Sequence, residues 1–595
     1  MRILFLTRSF NSLAQRLYLD LTALGHEVAV EFDIADAVAI EAVALFRPAL
    51  VVAPFLKRAI PEVIWRHTPC LVVHPGIVGD RGPSALDWAI TTGEREWGVT
   101  VLQAVAEMDA GPVWAAETFA MREASKSSLY RNEVTEAAAR ATCAAVQHFA
   151  ATGQAPVFAS GGARGQWRPL MCQLDRRIDW ATEDTRSVLR KLRAADGVPG
   201  VLDQLFGVPC HLFDGHAEPP GPWQTSASAP GAVLARRHDA LLRRTSDGGV
   251  WIGHVRRVDQ AGSFKLPAAV ALAAEAAGVP EWPLAINAPA DAGWREIHYE
   301  RHGEVSVLHF PFYNGAIGTR QCQDLNAALQ FALAQPPQVL LLLGGPDFWC
   351  NGIHLNLIEA AESPADESWR NINAIDDVTR TLIEATGHVV IAALQGNAGA
   401  GGAFMALAAD EVWARPAVLL NPHYKNMGNL HGSEYWTYLL PRRLKAAKPG
   451  DVMNHRLPVS ASQAARIGLV DAVFGSDVQT FVHEALSRAQ ALAASPTLAA
   501  RLSAKQTQRL IDEAKQPLQR YRDQELAQMR RNFYGFDPSY HIARGNFVHR
   551  VPPSWTPRHL AVHRHGAPLG AATGLAKLDQ DQSRSPTRSA ESPRE

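Results

Sequence analysis

A histidine and an aspartate in two separate segments are the first side chains of this sequence that could do chemistry. His74 ends an apolar run that predicts a buried strand, and Asp109 lies in the Gly- and Pro-containing turn of residues 108–113. Ligands of open α/β sheets bind at the carboxyl ends of strands, and a nearby carboxylate fixes the tautomer of a histidine and stabilises its charged form. The pair could therefore move a proton. On spacing alone, however, a strand-end histidine and a turn aspartate are more often structural.

Two glycine-rich segments, residues 348–355 and 396–403, each follow a predicted strand. Turns of this kind expose backbone N–H groups, which suit an anion or a developing oxyanion. Tyr424 and Glu434 come later in the chain, and a phenol with a carboxylate can act as an acid–base pair. Either glycine-rich segment alone is weak support for a site. The alternative for the two side chains is that Tyr424 packs in the core and that Glu434 is solvated.

The segment around His74 resembles the folate-dependent formyltransferases, which carry an HPS…RG…W segment followed by a DxGP segment. The matching residues are His74-Pro75-Gly76, Arg81-Gly82, Trp88 and Asp109-Ala110-Gly111-Pro112. Residues 177–180 and the strands after them extend the resemblance, to about residue 270, into the C-terminal domain of methionyl-tRNA formyltransferase. The resemblance implies that His74 and Asp109 assist transfer of the formyl group from N10 of tetrahydrofolate. It also implies that Arg81 and Gly82 belong to the folate site.

One position departs from the formyltransferase pattern. The family usually has an asparagine two residues before the histidine, and its amide polarises the formyl carbonyl; this sequence has Val72 there. Loss of such a donor typically lowers the rate by about 10²–10³. We therefore expect either an altered activity or another amide in this role. Asn11 and Gln15, just after the first strand, are the candidates and would contact the folate.

The two glycine-rich segments together resemble the crotonase (enoyl-CoA hydratase/isomerase) superfamily, whose oxyanion-hole amides lie in an FxxGxDL-like and a GxAxGGG-like segment. By that match the amides of Ile353 and Gly401, beside Gly352 and Gly402, hold the thioester carbonyl of a coenzyme A substrate. Hydratases carry a glutamate on the helix after the glycines, where this sequence has Phe404. Addition of water needs this glutamate together with a second catalytic glutamate of the hydratases. We therefore expect no ordinary enoyl-CoA hydration.

A formyltransferase-like half joined to a crotonase-like half, with the segments 420–424 and 432–438, resembles the HypX/HoxX family of hydrogenase maturation factors over nearly the whole chain. The resemblance implies formyl transfer from 10-formyltetrahydrofolate to the thiol of coenzyme A. It further implies decarbonylation of formyl-CoA to carbon monoxide, with Glu434 or Tyr424 as the base. The carbon monoxide becomes an iron ligand of a [NiFe]-hydrogenase, so the implied partner is the hydrogenase large subunit or its maturation machinery. Because formyl-CoA is labile in water, we expect an internal passage between the sites.

Three other functions stay open. The first is a methionyl-tRNA or other folate-dependent formyltransferase, and the near-neutral charge argues against a tRNA substrate. The second is an acyl-CoA hydratase or hydrolase, which Phe404 disfavours. The third is a non-catalytic chaperone that docks on the hydrogenase, which the presence of His74, Asp109 and both glycine-rich segments disfavours.

The helices and strands expected around these residues indicate an α/β multidomain protein. Residues 1–160 open with a strand, a helix and a strand, which indicates a formyltransferase-type parallel α/β sheet without the GxGxxG turn of a dinucleotide fold. Residues 161–285 contain short segments typical of a small OB-like β-barrel. After a linker, residues 294–496 are predicted to form a crotonase-type α/β spiral domain. Residues 497–565 are predicted to be a helical extension, and residues 566–595 a disordered tail.

Composition narrows the class of protein. The 595 residues carry 58 Lys and Arg against 59 Asp and Glu, a formal net charge of −1, which argues against nucleic-acid and membrane-surface binding. The apolar runs are too short for a transmembrane helix or a signal peptide, so we expect a soluble cytoplasmic protein. The six cysteines have no CxxC spacing, and no HExxH motif collects the 22 histidines into a metal site. We therefore expect no disulfide framework and no bound metal.

Overall fold

The computed structural model describes residues 1–158, 164–221, 228–445 and 447–565. The predicted disordered tail lies outside these residues. Four β-sheets with helices packed on them confirm the predicted α/β class. Within the described ranges, no helix combines the length and the apolar character needed to cross a membrane.

The N-terminal domain is built on one six-stranded sheet. Its strands are β1 (Arg2–Thr7), β2 (Glu27–Phe32), β3 (Leu50–Ala53), β4 (Cys70–His74), β5 (Glu96–Gln103) and β6 (Val113–Ala120). Its helices are α1 (Ser12–Ala23), α2 (Asp36–Phe46), α3 (Glu62–Trp65), α4 (Ala85–Thr92), α5 (Lys126–Leu129) and α6 (Thr135–Thr152). The spatial order of the strands is β2-β1-β3-β4-β5-β6.

The first four strands of this sheet pair in parallel, as predicted, because helices cross over between them. The strand β5 instead pairs antiparallel with β4, and a hairpin loop joins it to β6, which pairs antiparallel with β5. The sheet is therefore mixed rather than wholly parallel. This difference matters for the site, because the hairpin loop carries Asp109 back toward the end of β4.

The second domain is an antiparallel sheet covered by one amphipathic helix. Its strands are β7 (Val201–Leu205), β8 (Val208–Glu218), β9 (Val233–Arg237), β10 (Ala240–Arg244), β11 (Gly249–Arg257) and β12 (Leu266–Pro267). Its helices are α7 (Gln173–Arg176), α8 (Thr185–Ala195) and α9 (Ala268–Ala271). The order β7-β8-β11-β10-β9 leaves β7 and β9 at the two ends of the described sheet. The apolar face of α8, at Val188 and Leu192, packs into the sheet core.

The third domain has a large and a small sheet. Its strands are β13 (His298–His302), β14 (Val305–Phe310), β15 (Val339–Gly344), β16 (Phe348–Cys350), β17 (Val389–Leu394), β18 (Asn397–Gly399), β19 (Glu411–Ala414), β20 (Leu419–Asn421), β21 (Val459–Ser460) and β22 (Ala472–Val473). The large sheet has the order β13-β14-β15-β17-β19-β22, and the small sheet β16-β18-β20-β21. Three successive strand pairs each contribute one strand to each sheet, which produces the spiral that was predicted.

Among the described residues, eight α-helices surround this spiral: α10 (Thr319–Leu333), α11 (Leu355–Ala360), α12 (Pro364–Glu384), α13 (Ala400–Leu407), α14 (Trp436–Arg443), α15 (Pro449–Asn454), α16 (Ala461–Ile467) and α17 (Val478–Ala493). Both predicted glycine-rich segments lie where the chain enters or leaves the small sheet. The second of them opens α13 directly after β18. The small sheet therefore brings the two segments side by side.

The C-terminal helices are α18 (Leu498–Lys515), α19 (Leu518–Tyr534) and α20 (Ser539–Val548), in the region predicted to be helical. After them the chain returns to the N-terminal domain. The amide of Val30 donates to Leu560 O at 3.0 Å, and the amide of Phe32 donates to Thr556 Oγ1 at 2.8 Å. The side chain of Leu560 is buried in the core of that domain. This return covers the edge strand β2, which would otherwise expose unpaired backbone groups.

The first and third domains also meet through a polar contact. Asp347, just before β16, accepts hydrogen bonds from Ser128 Oγ at 2.6 Å and Asn132 Nδ2 at 3.0 Å, and its carboxylate lies 3.2 Å from Arg131 Nη1. Arg415 donates to Asn132 Oδ1 at 3.1 Å. The helical region that begins at α5 is thus anchored on the loop that precedes the small sheet.

Candidate active sites

His74 is the last residue of β4 and is 5% exposed. Its Nε2 lies 3.0 Å from Asp80 Oδ2, and its Nδ1 lies 3.7 Å from Asp109 Oδ2. Two carboxylates on opposite ring nitrogens orient an imidazole and stabilise the imidazolium that forms when it takes a proton. The sequence points to His74 and Asp109 but not to Asp80. The feature of the sequence that could have indicated Asp80 is its position in the turn directly after the strand that ends at His74.

Gly82 holds Asp109 in this arrangement. Its N–H donates to Asp109 Oδ2 at 3.3 Å, and its φ of +114° lies in the region that favours glycine. A Cβ at this position would lie 2.1 Å from the carbonyl oxygen of Arg168. The side chain of the preceding residue, Arg81, is exposed and pairs with Glu107 at 2.7 Å. Of Arg81 and Gly82, Gly82 is therefore the one in direct contact with the His74 site.

The two amides expected to replace the missing asparagine are engaged elsewhere. Asn11 caps α1, because its Oδ1 accepts from Ala14 N at 3.0 Å. The Oε1 of Gln15 accepts from Asn421 Nδ2 of the third domain at 3.2 Å. In the described contacts neither amide reaches His74. Asn11 thus caps α1 and Gln15 contacts Asn421 of the third domain, and their role as substitute donors to the formyl group stays a prediction.

The glycine-rich segments of the third domain approach each other backbone to backbone. A Cβ on Gly352, whose φ is +80°, would lie 3.1 Å from Gly401 N, and a Cβ on Gly402 would lie 2.2 Å from Cys350 O. Gly401 is the second residue of α13, so its N–H has no acceptor within the helix. Ile353 and Gly401 line one cavity. The predicted pair of oxyanion amides is thus brought together at this cavity.

Tyr424 and Glu434 meet against these amides. The hydroxyl of Tyr424 donates to Glu434 Oε2, and both residues are buried. A Cβ on Gly401 would lie 2.0 Å from Glu434 Oε1, so the carboxyl group lies directly against the glycine. The ring of Phe404 stacks on Tyr424 with centroids 5.2 Å apart. Phe404, which occupies the position of the hydratase glutamate, therefore packs against the ring of Tyr424 and supplies no carboxylate.

The backbone that presents Glu434 is strained and is held by two buried carboxylates. Glu434 and Tyr435 have φ values of +60° and +58°, which non-glycine residues rarely adopt. Asp376 accepts from Glu434 N at 2.8 Å and from Ser433 Oγ at 2.7 Å, and Glu525 accepts from Tyr435 N at 2.9 Å. Strain of this kind persists only where the surroundings impose it, and it is common at active sites. Sequence reasoning missed Asp376, because it comes from α12 and belongs to no local motif.

Burial changes the protonation of these acids. It raises the pKa of Glu434 to about 8, and the negative charge of Asp376 contributes to the same change. Burial also raises the pKa of Asp376 to about 6, and that of Tyr424 well above its usual value of 10. Glu434 is therefore a carboxyl group that can both accept and release a proton near neutral pH, as a general base must. Perturbed groups of this kind concentrate at functional sites.

The Tyr424–Glu434 pair lies in a cavity of about 740 Å³, a volume that suits a cofactor-sized ligand. Residues of all three domains and of the C-terminal helical region line this cavity. The lining includes Gln15 and Arg131 of the first domain, His254 and Lys265 of the second, Ile353, Gly401, His423, Tyr424, Met427 and Glu434 of the third, and Met529, Phe547 and Arg550 of the C-terminal region. The site is thus assembled only when the domains pack together.

Three cations at the cavity, Arg131, Lys265 and Arg550, could hold an anionic ligand. Lys265 Nζ donates to Tyr313 OH at 2.6 Å, and burial lowers the pKa of this lysine to about 8. Arg131 Nη2 donates to Asn314 Oδ1 at 3.2 Å. The sequence gives no signal for these cations, because each comes from a different domain.

His423, beside Tyr424, is a further cavity residue that the sequence does not single out. It is 5% exposed, and neither of its ring nitrogens has a hydrogen-bond partner within the described part of the chain. Burial lowers its pKa to about 4, so the ring is neutral at pH 7. A buried imidazole whose nitrogens have no hydrogen-bond partner destabilises the folded protein, unless a ligand or a water molecule supplies the missing hydrogen bonds.

Three family models match the chain in order. The formyl transferase family matches residues 27–146, its C-terminal domain matches residues 171–262, and the enoyl-CoA hydratase/isomerase family matches residues 306–557. Methionyl-tRNA formyltransferase from Thiobacillus denitrificans is 26% identical over 208 residues, which are 35% of this chain and 64% of that enzyme. These matches confirm the two predicted halves.

Full-length relatives carry both halves. The hydrogenase maturation factor HoxX of Bradyrhizobium diazoefficiens is 53% identical over 577 residues, 97% of this chain and 100% of that protein. The crystal structure of HypX from Aquifex aeolicus in complex with tetrahydrofolic acid is 46% identical, with a TM-score of 0.90 over 95% of this chain and 99% of that one. The chain belongs to the HypX/HoxX family of hydrogenase maturation factors.

Proposed function

We propose that this protein makes carbon monoxide from 10-formyltetrahydrofolate in two steps. The His74 site transfers the formyl group to the thiol of coenzyme A. The Tyr424–Glu434 site then splits formyl-CoA into carbon monoxide and coenzyme A. The carbon monoxide becomes a ligand of the iron in a [NiFe]-hydrogenase. We therefore propose that the partner is the large subunit of the hydrogenase or its maturation machinery. Family membership and the tetrahydrofolic acid bound by the HypX of Aquifex aeolicus support the folate half.

One observation carries the proposal: residues of all the domains line the cavity that contains the Tyr424–Glu434 pair. A formyltransferase with an unrelated second enzyme attached would need no shared cavity. Here Gln15 and Arg131 of the formyltransferase half lie at the same cavity as Ile353 and Gly401 of the crotonase half. This sharing suits a substrate that is bound by both halves.

In the first step His74 transfers the protons between coenzyme A and the folate. It takes the proton of the coenzyme A thiol as the sulfur attacks the formyl carbon, and it returns a proton to N10 of the folate as the carbon–nitrogen bond breaks. Asp80 and Asp109 stabilise the imidazolium between these two events. The products are formyl-CoA and tetrahydrofolate.

In the second step the amides of Ile353 and Gly401 hold the formyl oxygen. Glu434 removes the formyl proton as the carbon–sulfur bond breaks, which releases carbon monoxide and the thiolate. The same carboxyl group then protonates the thiolate, so that no proton is gained or lost overall. Its pKa of about 8 suits both events, and Tyr424 fixes its orientation.

The cavity suits coenzyme A in charge as well as in size. Arg131, Lys265 and Arg550 offer positive charge for the phosphate groups. Apolar residues such as Met427 and Phe547 line the wall beside them, where the uncharged arm of the ligand can lie. We propose that this arm carries the formyl group from the first site to the second without release into water.

The function is tested by mixing the purified protein with 10-formyltetrahydrofolate and coenzyme A. We expect carbon monoxide, measured as the absorbance change of haemoglobin, and none when coenzyme A is left out. A folded preparation that makes no carbon monoxide would contradict the proposal. The internal passage is tested separately by adding labelled formyl-CoA during turnover. Free mixing of the label with the carbon monoxide formed from folate would rule out direct passage and leave the two reactions intact.

A further inference from the structure

A cluster of histidines lies on the hairpin of β13 and β14, at the edge of the large sheet of the third domain. His298 of β13 is directly opposite His309 of β14. Successive side chains of a strand alternate between its two faces, so Glu300 and His302 share the face of His298. Four side chains that can bind metal therefore project on one side of the hairpin. None of them belongs to the two candidate active sites.

The carboxylate of Glu300 lies at the centre of the cluster. Its Oε1 is 3.5 Å from His298 Nε2, and its Oε2 is 3.6 Å from His309 Nε2 and 2.9 Å from His302 Nε2. One ligand atom each from His298, Glu300 and His309 lies within 4.8 Å of the others. In the described part of the chain, this is the one group of three such residues found so close together.

One of the two facing histidines has a buried ring nitrogen without a hydrogen-bond partner among the described residues. The rings of the two histidines stack in parallel, with centroids 4.1 Å apart and planes inclined by 5°. The buried His309 Nε2 has no hydrogen-bond partner among the described residues. A buried nitrogen without a partner carries a free-energy cost. A bound cation would remove this cost at the point where the ring nitrogens and the carboxylate converge.

We propose that His298 Nε2, Glu300 and His309 Nε2 form a binding site for a divalent first-row transition-metal ion such as Zn²⁺. Imidazole nitrogens and a carboxylate oxygen are ligands that this class of ion prefers. Zn–N distances of about 2.0 Å require ligand atoms roughly 3.3 Å apart, and a metal lies in the plane of each imidazole that binds it. To complete the site, the two stacked rings must therefore rotate out of their parallel arrangement. His302, which lies at hydrogen-bond distance from Glu300, orients the carboxylate, as outer residues of metal sites commonly do.

The surrounding charges set the strength of this site. Glu300 supplies one negative charge at the centre of the histidines. Arg295 is close enough to oppose a cation, and it is fixed there because its guanidinium donates to Ala288 O at 2.6 Å. We therefore expect binding of moderate strength that depends on all three ligands.

The expectation of no bound metal, drawn from the sequence motifs, is changed by this proposal. Strand geometry explains why the sequence does not reveal the site. His298, Glu300 and His302 are spaced as alternate residues of a strand, and His309 joins them only through hairpin pairing. A metal ion would tie the edge strand β13 to β14 and leave the remaining coordination positions open to solvent.

The site is tested by dialysing the full-length, metal-stripped protein against Zn²⁺ and measuring bound zinc by mass spectrometry. We expect the His298→Ala and His309→Ala variants to bind one equivalent fewer than the wild type. The control is His67→Ala, which removes an exposed histidine of the first domain and should leave the stoichiometry unchanged. His302→Ala should keep the site but weaken it by about 10–100-fold. Mg²⁺, which prefers oxygen ligands, should not compete.

Zinc stoichiometry that is equal in the wild type, His298→Ala and His309→Ala would overturn the proposal, as would a wild type that binds no zinc. Circular dichroism establishes that each variant is folded. Should an alanine variant unfold, Glu300→Gln provides the same test with little change of shape. A second readout is the melting temperature, which Zn²⁺ should raise in the wild type and not in His309→Ala.

Discussion

The two candidate active sites hold their acidic groups in opposite ways. In the first site the carboxylates of Asp80 and Asp109 flank His74, so the negative charges face a group that becomes positive. In the second site Glu434 is buried beside Asp376, a group of the same charge, and burial raises the pKa of both. The first arrangement places two carboxylates against an imidazole ring, whereas the second gives a carboxyl group a high affinity for its own proton. A weakly acidic formyl C–H needs the stronger base, and a thiol does not.

The largest effect should come from Glu434→Gln, which keeps the shape of the side chain but removes the base. We expect carbon monoxide formation from added formyl-CoA to fall by about 10²–10⁴. Formyl transfer from the folate should change little. The measurement is haemoglobin absorbance for the first reaction and chromatography of tetrahydrofolate for the second. Equal loss of both reactions would show that the sites are not separate.

His74→Ala should have the reciprocal effect. We expect formyl transfer to fall by about 10²–10³, less than for Glu434→Gln, because a thiol with a pKa near 8.5 is partly ionised without a base. Carbon monoxide formation from added formyl-CoA should be retained. A variant that loses both reactions while remaining folded would contradict the assignment of His74 to the first step.

Gly401→Ala tests the contact between the oxyanion amide and the base. The new Cβ would lie 2.0 Å from Glu434 Oε1, so the carboxyl group must move. A shift of about 1 Å lowers rates by roughly 10². We expect that loss in the second reaction and none in the first. The matched control is Gly387→Ala, where a Cβ meets no atom within 4 Å. A similar loss in this control would mean that general destabilisation is the cause.

The smallest effect should be a change in pH dependence. If ionised Glu434 is the base, carbon monoxide formation rises with pH and reaches half its maximum near pH 8. Asp376→Asn removes the like charge that raises the pKa of Glu434, so the midpoint should move to lower pH, by about one unit. The measurement is the rate with added formyl-CoA from pH 6 to 10. A midpoint that moves upward would show that Asp376 does not act through charge.

The comparison also separates what a sequence can predict from what it cannot. His74, Asp109, Tyr424 and Glu434 are predictable, because each lies in a local segment whose residue types resemble a known family. Asp376 is not, because it reaches Glu434 from α12 through tertiary packing alone.

The same limit applies to the cavity and to the fold. Arg131, Lys265 and Arg550 come together only through domain packing, which leaves no local pattern. The α/β class and the strands β1 and β2 follow from local periodicity. The antiparallel β5–β6 hairpin and the return of the chain to β2 do not, because both depend on pairings between segments that are ambiguous or distant in sequence.

The most direct test of the two-step account uses the Glu434→Gln variant with ¹³C-labelled 10-formyltetrahydrofolate and coenzyme A. If formyl-CoA is the intermediate that passes from the His74 site to the Glu434 site, the variant should accumulate ¹³C-formyl-CoA on the protein. Nuclear magnetic resonance should then detect the labelled thioester, and haemoglobin should detect almost no carbon monoxide. Carbon monoxide at the wild-type rate, or no labelled thioester in the folded variant, would contradict the account.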